Sequence, residues 1–450
     1  MKDFTLAEIA KACNGEYVGD ESLKNTKITS VERDSRQVKN GSLFLAIKGE
    51  RVDGHDFIEK CFAQGAVCAL CEKAPENATK PCIVVPSTLD AVKKIGRAYR
   101  EKFDIPVIGI SGSVGKTSTK EMLYAVLSQK FKTHKTQGNL NNELGVPLTL
   151  LSMPEDTEAA VIEMGISDFG EMTRLSEMVQ PTICVLTIIG ECHLENLGDR
   201  DGVLKAKTEM FKNARENADF ILNGDDDKLS TVKSVNGKKP VFFGLDAKND
   251  FYAKNIKSSG DGKVLATLCF DNNNIDVEIP AIGTYMVTNA LAAAAAGKLL
   301  GLTDEEIANG VASYKTVGSR ANVINTGKIK IIDDCYNANP TSVRASLDTL
   351  SNLDGRKVAI LGDMKELGSE ELKLHFDTGV YAKSKDIGTV ITVGELAKAL
   401  AKGADGKAFD TIEDAKPEIL KTIKSGDVVL VKASHSMQFE NIVEFLKQNF

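Results

Sequence analysis

The sequence predicts an α/β protein of three domains, and three observations carry that expectation. A chain of 450 residues with 42% apolar content corresponds to about three domains and can supply a core for each. From residue 103 onward, short apolar strands alternate with helical stretches, the pattern of a parallel sheet built from strand-helix-strand crossovers. A second series of the same kind begins near residue 325. The expected divisions are 1–102, 103–317 and 318–450.

Residues 1 to about 100 alternate short apolar runs (ITSVERDSR, SLFLAIKG, AVCALCE, PCIVVPS) with turns and read as a small α/β domain. The stretch FDIPVIGI (103–110) opens the central domain, whose strands are read in VIGIS, AAVIEMG, TICVLTIIG and DFILNGD. The C-terminal series IKIIDDCYN, RKVAILGDM, GTVITVG and DVVLVKAS is mostly followed by amphipathic helical stretches such as TSVRASLDTLSNL. It reads as a Rossmann-like domain that lacks a G-x-G-x-x-G.

Composition narrows the function. Net charge is −7, from 56 basic and 63 acidic residues. The charges are scattered, which leaves no basic surface for nucleic acid or anionic lipid. Anionic ligands must therefore be gripped locally. The N-terminus has no continuous apolar core of a signal peptide. The most apolar segment, NALAAAAAGKLLGL (289–302), contains Lys298 and is shorter than the roughly 20 residues of a membrane span. A cytoplasmic protein without membrane insertion is expected. Nine cysteines in a long chain argue for reduced thiols. Cys68-x-x-Cys71 lacks the further ligands that structural zinc needs.

The chemistry begins at GISGSVGKTSTKEM (109–122). A standard phosphate loop is G-x-x-x-x-G-K-[ST], and its first glycine is replaced here by Ile110. The tail Gly112-Ser113-Val114-Gly115-Lys116-Thr117, followed by Ser118, is intact. A strand leading into Gly112 and a helix starting at Lys116 place backbone N–H groups, the helix dipole and the Lys116 ammonium on phosphates, with the Thr117 hydroxyl free for Mg²⁺. In GNLNNELGVPLTLL (138–151), Asn139, Asn141 and Asn142 are read equally well as a helix-capping turn or as part of the site. Glu163 and His193 follow strands at their carboxyl ends, the edge where open α/β sheets bind ligands. Lys207 sits in a helical stretch, where most lysines are simply solvated.

The order of these motifs resembles the Mur ligases, ATP-dependent amide-bond-forming enzymes of peptidoglycan precursor synthesis. Their phosphate loop has this shortened form, G-[ST]-x-G-K-[TS]. Within the family, NLNNELGVPLTLL (139–151) and DDCYNANPTSV (333–343) resemble the branch that joins D-Ala-D-Ala to UDP-N-acetylmuramoyl-tripeptide. The branch that adds the third residue carries a D-N-P-R motif, absent here. The resemblance spans essentially the whole chain, and it makes the N-terminal domain a UDP-binding one.

Residue by residue, it places Ser35, Arg36, Asp53 and His55 near the UDP-muramoyl group. It gives ATP and its phosphates Gly112 through Ser118, with Asn139 and Asn142 nearby. Glu163 becomes a ligand of one magnesium and His193 of a second, with Thr117. Lys207 matches the family lysine carboxylated by CO₂ to a carbamate, which requires a neutral amine and so a lowered pKa. Asn289 matches an adenine contact, Arg320 the γ-phosphate arginine, and Asp334 and Asn337 nucleotide-side residues, while Lys432 faces the incoming substrate. The chain departs from the family pattern at Tyr285-Met286, Ile188 and His435, where His-Asn, Asn and Arg are usual. The implied enzyme uses ATP, two Mg²⁺ ions and the Lys207 carbamate as a monomer whose C-terminal domain closes over the central one. The alternatives are another Mur-type ligase, either the third-residue ligase or one like folylpolyglutamate synthase, and a non-catalytic nucleotide-gated binding protein.

Overall fold

The structure is a computed structural model, which describes residues 1–259 and 262–450. Its first sheet contains β1 (Glu16–Val18), β2 (Ser30–Glu32), β3 (Ser42–Leu45), β4 (Cys68–Cys71) and β5 (Cys82–Val84). Their order is β1-β5-β4-β3-β2, parallel except at β1. The runs SLFL and CALC are buried on both faces, as interior parallel strands require. Cys68 and Cys71 are therefore core thiols, and all nine cysteines are buried and free.

The second sheet holds β6 (Val107–Ser111), β7 (Thr133–Lys135), β8 (Ala159–Glu163), β9 (Ile183–Leu186), β10 (Asp219–Asn223) and β11 (Val241–Phe243). All are parallel, in the order β11-β10-β9-β6-β8-β7. The chain leaves β6 toward one side and returns to fill the other, so the order in which strands are added reverses beside β6. Such a switch point opens a crevice at the carboxyl ends of the strands.

An antiparallel sheet of β12 (Tyr252–Ser259), β13 (Lys263–Phe270) and β14 (Asn273–Ile279) follows. The sequence reading has no such sheet, although Ile275, Val277 and Ile279 alternate with exposed polar residues along β14. That period of two is the signal of a half-buried strand. The helix Tyr285–Leu299 then buries its alanine-rich run in the core beneath the central sheet. Among the described residues, no helix is long and apolar enough to cross a membrane.

The last sheet comprises β15 (Asn322–Asn325), β16 (Lys330–Asp333), β17 (Arg356–Gly362), β18 (Thr389–Val393), β19 (Lys407–Phe409) and β20 (Asp427–Lys432). The order is β15-β16-β20-β17-β18-β19, parallel except for β15 against β16.

The cores are not distributed one per region. A single apolar cluster joins Leu70, Ile95 and Tyr99 of the N-terminal region to Val146, Leu150 and Leu186 of the central one. The C-terminal region is packed on two clusters almost entirely its own, one on each side of its sheet.

Candidate active site

Ile110 lies within β6, pairs with Glu163 of β8 and Val185 of β9, and is fully buried. The strand continues where a standard phosphate loop has already begun to turn, so the shortened loop starts only at Gly112. Gly112 has φ +152°, and a Cβ there would sit 1.9 Å from Thr187 Oγ1. Gly115 turns the chain at φ +84° into the helix Lys116–Leu127, a conformation glycine adopts without strain. The loop is tied to the segment after β9: Ser113 N donates to Ile188 O at 2.8 Å, Gly190 N donates to Ser113 Oγ at 2.9 Å, and Thr187 Oγ1 donates to Val114 O at 2.6 Å.

This loop floors a cavity of about 590 Å³ between the central and C-terminal regions. From the central side come Ser113 through Ser118, Asn142, Glu163, His193 and Asn289; from the C-terminal side come Arg320, Asp334, Asn337 and Lys432. The start of the helix Pro340–Ser351 also opens on it, through Thr341 and Ser342. Two helix N-termini thus turn their positive ends toward one space.

Lys116 Nζ donates to Gly112 O at 2.7 Å. Burial pushes its ammonium below the ordinary lysine value, with Arg320 acting in the same direction and Glu163 against it. Glu163 is fully buried at the end of β8, where it accepts from Thr117 Oγ1 at 3.0 Å and from Asn141 Nδ2 at 2.8 Å. Lys120, also buried, stands 3.6 Å away and is shared with Glu121. A carboxylate and a hydroxyl brought together at the phosphate loop suit Mg²⁺, a hard cation usually held by one or two carboxylates plus phosphates. Among the described residues there is no group of three His, Cys, Asp or Glu side chains able to hold a metal unaided. Lys207 is buried and does not itself line the cavity; burial lowers its pKa to about 8, Lys116 adding to the shift and Cys192 opposing it. An amine so placed gives up its proton more readily than an ordinary lysine, the direction carbamate chemistry needs.

On the C-terminal side, the Arg320 guanidinium lies 3.8 Å from the centre of the Tyr336 ring, and that ring in turn leans on His435 at 5.7 Å. Asp334 accepts from Lys432 Nζ and Ser346 Oγ, both at 2.6 Å, and Lys432 also reaches Asn337 O at 3.0 Å. Lys432 is thereby buried and engaged in holding the Asp334–Asn337 loop. Asn289 accepts from Thr119 Oγ1 at 2.9 Å while its amide touches Met286 Sδ at 3.3 Å. Tyr285 and Ile188 line the cavity. His193 Nδ1 lies 2.6 Å from Glu366 Oε2 of the C-terminal region, off the line of a well-aligned hydrogen bond, and the contact holds the Glu366 carboxyl below its usual range.

Several sequence-predicted residues lie outside this cavity. Asn139 is exposed, and Asn142 caps the helix Gly145–Leu151 through Gly145 N at 2.8 Å while also lining the cavity. In the N-terminal region, the exposed Arg36 guanidinium is folded back on Asp34, whose carboxyl it holds down to about 2. Asp53 accepts from His55 N at 3.0 Å, and His55 Nε2 accepts from Glu72 N at 2.9 Å. Ser35 lies half-buried beside them in sequence. Sequence reasoning left out Tyr336, although it stands inside DDCYNANP, and Lys120, although it falls one turn after Lys116 on the same helix. Nothing in the sequence points to Glu366.

Comparison with known proteins agrees with this arrangement along the whole chain. Family models match residues 27–101 (Mur ligase family, catalytic domain), 110–297 (Mur ligase middle domain) and 319–435 (Mur ligase, glutamate ligase domain). The UDP-N-acetylmuramoyl-tripeptide--D-alanyl-D-alanine ligase of Bacillus subtilis (strain 168) is 37% identical over 98% of each chain. A crystal structure of MurF from Acinetobacter baumannii superposes with a TM-score of 0.92 at 33% identity, covering 100% of this chain and 99% of that one. MurF ligase from Thermotoga maritima, solved in complex with ADP, gives 0.84 at 30% identity over 93% and 97%. With its shortened phosphate loop, its cavity between two α/β regions and relatives of this identity along its full length, the chain belongs to the Mur ligase family.

Proposed function

We infer that the chain is an ATP-dependent ligase that joins D-alanyl-D-alanine to UDP-N-acetylmuramoyl-tripeptide, yielding the pentapeptide nucleotide of peptidoglycan synthesis with ADP and phosphate. The observation that carries this reading is the cavity in which the phosphate loop faces Arg320, Asp334 and Asn337 across two regions. The full-length identity to ligases of this name supports the substrate pair.

Amide formation in water needs an activated acyl group. In our reading the tripeptide carboxylate attacks the γ-phosphorus of ATP, the bond to the β-γ bridging oxygen breaks, and an acyl phosphate results. The amine of D-Ala-D-Ala then attacks the acyl carbon, loses a proton, and phosphate leaves. The first step brings anions together, at a cost of roughly 4 kcal/mol per pair of unit charges about 4 Å apart at an effective dielectric near 20, or about three decades of rate. Lys116 and Arg320 offset that repulsion from opposite walls. Thr117 and Glu163 would hold one magnesium, His193 and a Lys207 carbamate a second, and the ions would supply charge neutralisation and alignment of the phosphoryl group. Asn289 would meet the adenine. Closure of the C-terminal region would keep water from the acyl phosphate.

The muramoyl nucleotide would be received by the N-terminal region around Ser35, Arg36, Asp53 and His55, which requires Arg36 to leave Asp34. We place the enzyme in the cytoplasm as a monomer, and we divide it at residues 102 and 317. The decisive experiment measures phosphate release from ATP and Mg²⁺ with UDP-N-acetylmuramoyl-tripeptide, with and without D-Ala-D-Ala, and the mass of the product. Release that needs both substrates and gives the pentapeptide nucleotide is expected. No release with this pair would refute the reading.

A further inference from the structure

We propose that Glu366 is a positioning residue for His193: its carboxylate holds the Nδ1 side of the ring and leaves Nε2 turned to the cavity. Docking of the C-terminal region then completes a metal position that belongs to the central one. The proposal rests on the reading of His193 as a magnesium ligand.

Four observations converge on this contact. His193 Nδ1 is buried and lies 2.6 Å from Glu366 Oε2, with no other polar partner among the described residues, and His193 lines the cavity. Both residues have left-handed backbones, with φ 52° at His193 and φ 65° at Glu366, a conformation uncommon outside glycine. The Glu366 loop is anchored rather than free: Met364 N donates to His375 Nε2 and Lys365 N to Ser434 Oγ, each at 2.9 Å, and Glu195 N approaches Glu366 O at 3.4 Å. The seam is close enough to need glycines, because a Cβ on Gly190 would meet Thr341 Oγ1 at 2.3 Å and one on Gly368 would stand 3.3 Å from Glu195.

An ordinary exposed ion pair contributes little and would not require two left-handed residues to face each other. A metal-binding histidine, by contrast, usually gives its other ring N–H to a carboxylate, which fixes tautomer and orientation. Glu366 stands where that carboxylate belongs. The contact is imperfectly aligned here, as active-site hydrogen bonds often are before substrates bind.

The test counts Mn²⁺ ions on the full-length protein by electron paramagnetic resonance of the free ion, with a non-hydrolysable ATP analogue and bicarbonate present, so that no turnover is involved. Two ions are expected on the native chain and one on His193→Ala. Glu366→Ala, and the same-shaped Glu366→Gln should the first fold poorly, are expected to keep two ions with the second weakened about 10- to 100-fold. Glu191→Gln, which exchanges the charged acceptor of the neighbouring Thr341 Oγ1 contact for a neutral one, is expected to bind both ions as the native chain does. If His193→Ala loses an ion and both Glu366 variants bind like the native chain, the positioning role is overturned and the His193 reading stands. If His193→Ala also binds two ions, that reading fails and the proposal with it. A loss in Glu191→Gln equal to that in Glu366→Ala would assign the effect to docking in general and overturn the proposal too.

Discussion

The central region meets its two neighbours in opposite ways. Toward the N-terminal region the boundary is a continuous apolar core crossed by buried hydrogen bonds: Arg100 donates to Phe103 O at 2.7 Å, Val179 O at 2.9 Å and Gln180 O at 3.3 Å, and Tyr99 Oη to Met153 O at 2.9 Å. Toward the C-terminal region the boundary is a cavity ringed by short polar contacts, Glu191 with Thr341 and His193 with Glu366, across glycines. The first resists separation because parting it would expose apolar surface to water. The second exchanges its contacts for solvent at small free-energy cost, which is what a site that must admit nucleotide and seal again requires. The difference teaches that stability and catalysis are assigned to different seams.

The sharpest way to break that assignment is Lys116→Met. Among the described residues its Nζ hydrogen-bonds only to Gly112 O, so phosphate release should fall about a thousandfold, about 4 kcal/mol of barrier, with the melting temperature nearly unchanged. A large loss of stability would show that the polar seam also holds the fold. The converse variant is Arg100→Ala, which leaves the buried carbonyls of Phe103 and Val179 and the partly buried one of Gln180 without their donor. At about 1–3 kcal/mol for each unsatisfied group, a loss of about 3 kcal/mol or more is expected in urea titration, with KM for ATP unaltered in the folded fraction.

Lys207 tests the burial of an amine whose charge is opposed by Lys116. Its pKa is lowered to about 8 from an ordinary 10.5, so between those values the unfolded chain holds a proton the folded chain has lost. Stability relative to Lys207→Met should therefore rise with pH across that window, by up to about 1.4 kcal/mol per unit, and be flat below it. A flat difference throughout would mean the amine is hydrated.

Gly190→Ala should hinder the close approach to Thr341 and lower kcat about tenfold, about 1.4 kcal/mol, with part of the loss restored by adding Thr341→Ala; equal kcat in all three chains would show that the seam need not close this far. The smallest effect is expected from Tyr336→Leu. Losing the ring under Arg320 removes about 1 kcal/mol of cation–π support, seen as a several-fold rise in KM for ATP, and an unaltered KM would release Tyr336 from the site.

Much of this was legible residue by residue. The strands quoted from VIGIS to DVVLVKAS all form, because interior parallel strands are continuous apolar runs with turns at both ends. Ser113 to Ser118 were readable because a phosphate loop needs its glycines and lysine at fixed spacing. The antiparallel β12–β14 sheet was missed: only β14 carries a clean period of two, and β13 is buried along most of its length. Asn141, rather than Asn139, reaches Glu163 because the turn after β7 decides which of three neighbouring carboxamides points inward.

What the sequence by itself determined was the set of local rules: which runs are strands, where the phosphate loop begins and ends, and that its charge must be gripped locally. Only the tertiary structure decided that the first two regions share one core, that Lys432 is tied to Asp334, and that His193 meets Glu366 from 173 residues away. The physical reason is that periodicity and turn chemistry act over a few residues, whereas a pairing between side chains on two separately folded sheets depends on how those sheets dock.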